Sequence, residues 1–378
     1  MLCYEFPPIG GGGSRFVYGL SKELARQGHH VDLVTMGFRK LPQNDRVDGV
    51  QVLRIPCIRF KKYECSAPEA ALYLFMAIPK VRQLLSRNNY DINHTHFIMP
   101  DGLIAWLIKK QTNLSYIITA HGSDVPGYNP HRLKVAHRLL SPLWKTITQN
   151  AAQIVCPSKS LQSLVVKNGA NIKTTLIPYG FNSDRFQTTR KKQKRILVVT
   201  RMLKRKGVQY LLEAVKGLAL DHEIHIVGDG PYFPALQKMT HQSKISVKFW
   251  GWLDNQSPEL KELYETSKIF VLTSEAENFP VALMEAMAAG LAIITTKGTG
   301  CAEVVGKSAI LVKAKSSQAI RDALLRLTEN DNFCLELGCK AQKRLKENFF
   351  WDVVAKQYVD LYQQQINNKT PDLHHGKQ

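Results

Sequence analysis

FVLTSEAENFPVALMEAMAAGLAIITT, residues 270–296, contains one complete strand–loop–helix–strand unit. The run Ile269–Thr273 is apolar and β-branched, which is typical of a buried parallel strand. Pro280 suits the first turn of a helix, because the N–H that a proline lacks would have no partner there. Residues 281–289 are strong helix formers that end before a glycine, and residues 292–296 read as the next buried strand. The unit predicts an α/β protein with a parallel sheet.

Two glutamates of this unit, Glu277 and Glu285, lie eight residues apart, at the sheet edge where open α/β folds bind ligands. We expect the free N–H groups of residues 280–283 to present positive partial charge there, which suits an anion. An anion flanked by two carboxylates suggests a ligand with phosphates at one point and hydroxyls on both sides, such as a nucleotide sugar. One solvated surface glutamate and one helix cap would explain the same spacing equally well.

Length and composition restrict the class of protein. A chain of 378 residues favours two domains, because single cores stop growing at about 250–300 residues. No stretch approaches ~20 consecutive apolar residues, so no membrane-spanning helix is predicted. The first residues lack a basic segment followed by an apolar core, so we predict no secretory signal. Seven cysteines without a Cys-x-x-Cys pair argue against structural zinc or a disulfide framework, and we therefore expect a reduced compartment, the cytoplasm.

The charge is unevenly distributed along the chain. The net charge is +20, and residues 1–190 hold 24 Lys and Arg against 11 Asp and Glu. Such a basic half predicts an anionic partner, either lipid headgroups or a phosphorylated acceptor. Nucleic acid is the least supported anionic partner, because no recognisable nucleic-acid-binding motif occurs, and we expect none to bind. Residues 68–87 read as one or two apolar helices interrupted at Pro79. The basic and aromatic segment 54–63 lies next to them. It is either a peripheral surface that faces an anionic membrane or a solvated loop over a core helix.

The N-terminal pattern resembles a nucleotide-binding unit only in part. Residues 1–6 predict a short strand, and the glycines Gly10–Gly13 lead into a helix over residues 14–27. The third glycine of a dinucleotide fingerprint is missing, and no Gly-Lys-Ser/Thr follows, so neither a dinucleotide site nor a P-loop is predicted. The glycines either let the backbone approach a ligand closely or simply make the turn.

Three histidines in the first half follow predicted strands or lie on them. His94 and His96 share one face of a strand, which makes a metal pair conceivable, but no third ligand has a plausible spacing. We therefore predict no metal there. His121 lies at the carboxyl end of a strand and next to a glycine, where side chains reach a ligand cleft.

The second half repeats the alternation of strands and helices. We predict a first domain over residues 1–184, a polar and basic linker over 181–194, a second domain over 195–348, and a final helix over 351–366 that precedes a frayed tail from Asn367. Residues 297–303 read as a loop. Two doubly wound sheets joined by a linker are expected to leave a cleft between them.

Several short motifs, taken together, are more specific than any one of them. In chain order they are FPPIGGGGSRFV, DINHTH, TAHGSD, IPYGFNSDRF, VVTRMLKRKG, IVGDGP, FWGWL, SEAENFPVALMEAMAAG and GTGCAEVV. With this set, spread over nearly the whole length, the chain resembles the retaining nucleotide-sugar glycosyltransferases of family four. The resemblance implies the α/β fold called GT-B, in which two Rossmann-like doubly wound domains face a central cleft.

The resemblance also implies roles for individual residues. Glu277 would contact the hydroxyls of the donor sugar, Glu285 the ribose, and His121 the donor sugar near the reaction centre. The basic pair Arg201 and Lys206 would bind the donor diphosphate. The remaining implied donor contacts are the loop glycines and the residues around the start of the helix: Gly11, Gly12, Asn278, Phe279, Pro280, Val281, Ala282 and Leu283.

The chemistry of sugar transfer agrees with these roles. Negative charge develops on the departing nucleoside diphosphate, and Arg201 and Lys206 would stabilise it. No Asp-x-Asp pair occurs, so we expect no metal and no other cofactor; Glu275 with Glu277 is the one counter-candidate. A retaining glycosidase dyad needs carboxyls about 5–5.5 Å apart, which an offset of eight residues from loop to helix does not naturally give. Retention would come from front-face attack, in which the leaving phosphate oxygen takes the proton of the acceptor.

The expected activity is transfer of a sugar from a UDP- or GDP-sugar to a glycan or lipid-linked acceptor in the synthesis of a cell-surface polysaccharide or glycolipid. The alternatives are a sugar phosphorylase or synthase acting on a soluble sugar phosphate, and a non-catalytic nucleotide-sugar-binding protein. The sequence departs from the family pattern at its short first strand, which puts the stability of the first domain in question. It departs again at Tyr179, Phe181 and Ser14, where asparagine, a small aliphatic residue and an acidic residue are more usual.

Overall fold

The computed structural model describes residues 1–128, 134–169, 171–182, 185–187, 190–240 and 245–368, with only the backbone described at 134–136. The chain forms two compact units. One contains residues 1–180 together with the chain from Trp351 onward, and the other contains Phe181–Phe350. The predicted tail beyond residue 368 and parts of the predicted linker, 183–184 and 188–189, lie outside the described residues.

In the part of the chain that the structure describes, the first unit has seven strands in two groups. The orders are β1-β3-β2 and β4-β5-β6-β7, and all neighbours are parallel except the antiparallel pair of β2 and β3. The strands are β1 (Asp32–Met36), β2 (Asn44–Val47), β3 (Val50–Ile55), β4 (Asn93–His96), β5 (Tyr116–Thr119), β6 (Gln153–Cys156) and β7 (Thr174–Leu176).

Helices pack on these strands, and several of the helices contribute to one apolar core together with the strands. The helices of this unit are α1 (Gly12–Arg26), α2 (Ala67–Arg87), α3 (Asp101–Thr112), α4 (Lys134–Leu139), α5 (Ser141–Asn150), α6 (Lys159–Asn168) and, from the end of the chain, α14 (Trp351–Asn367). The predicted interruption of α2 at Pro79 is wrong, because the helix runs through that proline without a break.

The predicted strand over residues 1–6 is also wrong in its extent. Leu2 alone forms bridges, to Val34 of β1 on one side and Thr95 of β4 on the other, so it joins the two groups of strands. Tyr4 leaves the sheet because its N–H donates to the Asp101 carboxylate, at 2.9 Å, instead of to a neighbouring strand.

The second unit contains one six-stranded sheet in the order β10-β9-β8-β11-β12-β13, parallel throughout. The strands are β8 (Arg195–Val199), β9 (Glu223–Val227), β10 (Val247–Gly251), β11 (Ile269–Leu272), β12 (Ala292–Thr296) and β13 (Ile310–Val312). Strands β11 and β12, the pair around which the sequence prediction was built, are completely buried, as apolar runs in a parallel sheet should be.

The helices of the second unit follow its strands. They are α7 (Val208–Val215), α8 (Phe233–Thr240), α9 (Pro258–Thr266), α10 (Val281–Ala288), α11 (Gly300–Val305), α12 (Ser317–Thr328) and α13 (Asp331–Phe349). The loop predicted over residues 297–303 is wrong in its second half, because Thr299 caps α11 by accepting a hydrogen bond from the Cys301 amide at 3.2 Å. None of the helices in the described part of the chain is long and apolar enough to cross a bilayer.

The segment predicted as a linker packs against the second unit. The Phe181 amide donates to the carbonyl of Phe349 at 2.7 Å, and the Gln193 amide to that of Thr266 at 2.7 Å. Lys192 reaches the carbonyl at the end of α10, Ala289, at 2.7 Å. The described residues of this segment therefore belong structurally to the second unit.

Candidate active site

The strand order of the second unit determines where its ligand edge lies. From β8 the sheet extends through β9 and β10 on one side and through β11, β12 and β13 on the other. The chain order therefore reverses between β8 and β11. In open α/β sheets this switch point, at the carboxyl ends of the strands, is where ligands bind. The loops after β8 and β11 contain Arg201, Lys206 and Glu277.

Glycines let these loops approach each other closely. Gly207 has a φ of +75°, and a Cβ on it would lie 2.2 Å from the carbonyl oxygen of Thr273 at the end of β11. On the other side of β8, a Cβ on Gly228 would lie 1.8 Å from the carbonyl oxygen of Thr200. The Glu275 amide donates to the carbonyl of Arg205 at 2.8 Å. These backbone contacts hold the loop after β8 against the loop after β11.

The consequence is an ion pair between two of the predicted site residues. The ammonium of Lys206, in a 3-10 turn over Lys204–Lys206, contacts Oε1 of Glu277. The hydroxyl of Ser274 donates to the same oxygen at 2.8 Å. The two charged side chains are only 12% and 11% exposed, so the pair is positioned and largely shielded from solvent.

Arg201, the other predicted cation, is exposed beside this pair in the chain. Its guanidinium forms no ion pair with any other residue that the structure describes. The carboxylate of Glu275, the counter-candidate for a metal, is bound instead to Lys315 at 3.0 Å. The structure thus brings Lys206 and Glu277 together and leaves Arg201 accessible to an anion.

Glu285 has a more enclosed environment than its position in the sequence suggests. It is 3% exposed, one carboxylate oxygen contacts the guanidinium of Arg185, and the other accepts a hydrogen bond from the Tyr264 hydroxyl at 2.8 Å. Burial, and secondarily the charge of Glu285, raise the pKa of Tyr264 well above its usual range, so this phenol stays a donor. Arg185 lies in the segment predicted as a linker and within the motif IPYGFNSDRF, but nothing in the sequence assigned it a role.

The start of α10 offers fewer amides than expected. Pro280 is the N-cap and has no N–H, so including it among the donors of residues 280–283 was wrong. The Leu283 amide donates to the carbonyl of Pro280 at 3.1 Å. Val281 and Ala282 supply the other amides of the first turn, which have no partner within an α-helix. Asn278 and Phe279 precede the helix and are 5% and 6% exposed.

Gly300 belongs to this site although the sequence analysis did not single it out. Its amide donates to the carbonyl of Glu277 at 3.0 Å. A Cβ at this position would lie 1.6 Å from the carbonyl oxygen of Asn278. Only a glycine lets the loop after β12 approach so closely, so Gly300 fixes the backbone that carries Glu277. The motif GTGCAEVV contained the signal, but its partner is more than twenty residues away.

The first unit contains the other predicted site residues. His121 follows β5 and is half-buried, and its Nδ1 lies 2.7 Å from the Tyr179 hydroxyl. Burial lowers the pKa of His121 to about 3, so the ring is neutral at physiological pH. Gly11 caps α1 and Gly12 is its first residue, and a Cβ on either would meet no atom of the described residues within 4 Å. No contact within the described part of the chain therefore requires these two glycines.

Asp124 holds the loop around His121 and was not identified as a site residue. One of its carboxylate oxygens accepts from the amides of His121, at 3.0 Å, and Gly122, at 2.8 Å. The other accepts from the amide of Ile98, after β4, at 2.9 Å. Burial raises the pKa of Asp124, against the opposing effect of these backbone donors. One buried carboxylate thus ties the loop after β5 to the loop after β4.

The histidines of β4 have internal partners. The ring of His94 contacts the hydroxyls of Tyr362, at 2.6 Å, and Thr119, at 2.8 Å. Burial lowers the pKa of His94 and of His96 well below the usual range, so both rings are neutral. No group of three or more His, Cys, Asp or Glu residues suited to hold a metal occurs in the described ranges.

Comparison with known proteins gives a consistent family. The family "Glycosyltransferase Family 4" matches residues 10–185, and "Glycosyl transferases group 1" matches residues 181–347. Among curated relatives, the chain is 26% identical to the N-acetyl-alpha-D-glucosaminyl L-malate synthase of Bacillus anthracis, over 96% of this chain and 95% of that protein.

Two solved structures illustrate the likeness of the fold. The sucrose-phosphate synthase from Thermosynechococcus elongatus superposes with a TM-score of 0.81 at 21% identity, over 97% of this chain and 98% of that one. The Anabaena protein Alr3699/HepE in complex with UDP-glucose superposes with a TM-score of 0.72 at 15% identity, over 96% and 98%. The fold class is therefore GT-B, with two α/β units built on parallel strands.

Both halves of the chain match families of one enzyme class, and the full-length relatives and the fold agree with them. This protein is accordingly a glycosyltransferase of family four, whose second half matches the group 1 glycosyl transferases.

Proposed function

We propose that this protein transfers a sugar, with retention of configuration, from a UDP- or GDP-sugar to a glycan or lipid-linked acceptor. The observation that carries the proposal is the Lys206–Glu277 pair, held at the switch point of the second sheet beside the start of α10. A cation, a carboxylate and helix amides at one edge match the phosphates and hydroxyls of a nucleotide sugar. The presence of UDP-glucose in the similarly folded HepE supports the donor class.

Leaving-group stabilisation is assigned to Arg201 and Lys206. The exposed guanidinium of Arg201 and the shielded ammonium of Lys206 lie at the two ends of one short loop. A helix end contributes about 0.3–1 kcal/mol toward an anion, or up to ~2 kcal/mol when partly buried. Losing one positioned donor typically costs about 100–1000-fold in rate. The two cations should therefore contribute more than the amides of Val281 and Ala282.

The first unit is proposed to contribute Gly11, Gly12 and His121 to donor binding. The two glycines have open space where a Cβ would be, which is compatible with close approach of a phosphate to the backbone. A neutral His121 suits a hydrogen bond to a sugar hydroxyl rather than charge stabilisation.

Catalysis without a metal or other cofactor is part of the proposal. The chain lacks an Asp-x-Asp pair, and Glu275 is bound to Lys315 rather than positioned beside Glu277. Glu285 is buried against Tyr264 and Arg185, which argues against its acting as the nucleophile of a glycosidase-type dyad. Front-face attack satisfies the proton balance, because the leaving phosphate oxygen accepts the proton of the acceptor hydroxyl as the new glycosidic bond forms.

A lipid-linked acceptor is supported by the surface of the first unit, with the protein peripheral on the cytoplasmic face of a membrane. Three large apolar side chains of the loop after β3 are exposed, Ile58 by 60%, Phe60 by 79% and Tyr63 by 53%. Lys61 and Lys62 lie among them and are exposed. The two arginines of segment 54–63, Arg54 and Arg59, are buried in internal ion pairs. The basic part of this surface is therefore smaller than the sequence suggested.

Internal hydrogen bonds hold the backbone of this loop in place. The Arg59 guanidinium binds the Glu5 carboxylate at 2.9 Å and the carbonyls of Lys61 and Lys62 at 3.0 and 3.3 Å. The Lys62 carbonyl also accepts from the Gly10 amide at 2.9 Å. A membrane-facing loop here would therefore be connected directly to the glycine loop proposed to bind the donor.

A soluble acceptor is the second candidate, because the name of the Bacillus anthracis relative specifies L-malate. Incubation with radiolabelled UDP- and GDP-sugars, and with lipid-linked and soluble acceptors in parallel, separates the two. We expect label to enter the lipid-linked product. Label found only in a soluble product would show that the acceptor is a soluble molecule and not a lipid-linked one. Nucleotide-sugar binding without any transfer would instead favour a binding protein.

A further inference from the structure

His121 is held from both sides by other side chains. Its Nδ1 lies 2.7 Å from the Tyr179 hydroxyl, and its Nε2 lies 3.4 Å from Nδ1 of His96. The first distance is that of a firm hydrogen bond, and the second is at the long limit. The ring also contacts Phe97, with ring centroids 4.4 Å apart. The orientation of this imidazole is therefore set by the protein before any ligand binds.

Tyr179 is itself fixed in place. It is 6% exposed, follows β7, and its ring stacks on Phe16 with centroids 4.7 Å apart and an angle of 28°. The next residue, Gly180, lies so close to Trp351 that a Cβ would be 2.2 Å from the indole. Burial raises the pKa of Tyr179 well above its usual range, so the hydroxyl keeps its proton. A neutral phenol donates a hydrogen bond to an imidazole nitrogen readily.

We propose that Tyr179 is a positioning residue for sugar transfer, whose hydroxyl donates to His121 Nδ1 and holds the imidazole with its proton on Nε2. This inference rests on the proposed function, in which His121 contacts the donor sugar. The Nε2 proton of His121 then points along the long contact to His96. A hydroxyl of the sugar substrate that offers a shorter hydrogen bond can accept this proton instead. His121 thus acts as a neutral hydrogen-bond donor and not as a base.

The neighbouring histidine is consistent with this arrangement. His96 is completely buried, and its Nε2 has no hydrogen-bond partner among the described residues. Its Nδ1 is therefore the nitrogen through which it meets His121, and as an acceptor it matches an N–H on His121 Nε2. Both rings are neutral because burial lowers both pKa values. The two hydrogen bonds then point the same way: the Tyr179 hydroxyl donates to His121 Nδ1, and His121 Nε2 donates to His96 Nδ1.

The test compares Tyr179→Phe with Tyr358→Phe in the full-length protein. Tyr358 is a matched control, because it is also buried and its ring also packs on Phe16. Its hydroxyl contacts Thr119 Oγ1, at 3.1 Å, instead of His121. Nitrogen-15 NMR of labelled histidine reports which ring nitrogen carries the proton, independently of activity. We expect His121 protonated on Nε2 in the unaltered protein and in Tyr358→Phe, and a mixture of tautomers in Tyr179→Phe.

Kinetics provide the second readout. Tyr179→Phe should lower kcat/KM for the donor about tenfold, the effect of one lost neutral hydrogen bond, while Tyr358→Phe changes it little. A proton on Nδ1 of His121, or an unchanged tautomer in Tyr179→Phe, would overturn the inference, and so would equal kinetic losses in the two variants. If His121→Ala left turnover intact while the tautomer shift appeared, the role of His121 in the proposed function would fail and the positioning by Tyr179 would stand.

Discussion

Among single residues, Lys206 is the one on which the proposed sugar transfer depends most. Its ammonium is paired with Glu277 and would share its hydrogen bonds with a diphosphate when one binds. The pair keeps the lysine extended toward the ligand edge, so the long side chain loses little conformational freedom on binding. The same reasoning explains why Ser274, which holds the shared carboxylate oxygen, contributes to the site.

We predict that Lys206→Ala lowers kcat about 100–1000-fold, because a positioned cation no longer stabilises the charge on the leaving diphosphate. Steady-state transfer assays with a saturating donor measure this. The matched control is Lys204→Ala, in the same 3-10 turn but exposed. Equal losses in both variants would indicate general charge attraction, and an unchanged kcat in Lys206→Ala would remove this lysine from the mechanism.

A second prediction at this scale concerns the buried histidines. Because burial lowers the pKa values of His94, His96 and His121, their rings should stay neutral from pH 8 down to pH 5 in the folded protein. The unfolded chain takes up protons near pH 6.5, so each ring lowers stability by about 1.4 kcal/mol per pH unit below that value. Nitrogen-15 NMR titration of the folded protein checks this; a ring that protonates above pH 6 would contradict it.

At the scale of elements, close backbone contacts decide how loops and helices meet. Gly207 and Gly300 position the two loops that flank Glu277, and each touches a carbonyl oxygen that a side chain would displace. The helix α14 is held similarly, because a Cβ on Gly19 of α1 would lie 2.1 Å from the Trp351 indole. Such contacts join segments far apart in the chain, so no local pattern reveals them.

We predict that Gly19→Ala destabilises the protein although alanine favours helices. Helix propensity alone would add about 1 kcal/mol of stability, but overpacking against Trp351 typically costs about 1–3 kcal/mol. Gly12→Ala, in the same helix with open space around the new methyl, should leave stability unchanged or raise it slightly. Urea unfolding of both variants measures the difference. If Gly19→Ala proved as stable as Gly12→Ala, the packing of α14 on α1 would be described incorrectly.

The sequence could predict the elements far better than their contacts. The alternation of apolar strands and helices was sufficient to place β12 with the observed bounds, and α10 and α14 to within one residue. The sequence did not reveal that Arg185 pairs with Glu285, one hundred residues later, or that Tyr179 contacts His121. Both are long-range side-chain contacts, and periodicity reports only which face of an element is buried.

At the scale of the whole molecule, charge and exposed apolar surface both favour a membrane that contains anionic lipid as the partner. Residues 1–190 carry 24 Lys and Arg against 11 Asp and Glu, and the exposed apolar loop around Phe60 lies within this basic part. Anionic lipid contributes about 1 kcal/mol per nearby lysine, and burying one large apolar side chain adds about 1.5–3 kcal/mol. Neither contribution alone gives stable attachment, so binding should require both.

We predict that the protein floats with vesicles containing anionic lipid at low salt and dissociates at high salt. Phe60→Ser should weaken binding through lost apolar contact, and Lys61→Glu with Lys62→Glu through charge reversal. The control is Leu335→Ser, which removes an apolar side chain that is 67% exposed in the second unit. No flotation at low salt, or equal weakening by Leu335→Ser, would contradict a membrane-facing loop at residues 58–63.

A crystal structure of the full-length protein soaked with a UDP- or GDP-sugar would show where the diphosphate binds. We expect the diphosphate in contact with the Lys206 ammonium and the Arg201 guanidinium, beside the start of α10, and the hexose hydroxyls against Glu277. A nucleotide bound away from the loops that follow β8 and β11, with the Lys206–Glu277 pair undisturbed, would contradict it.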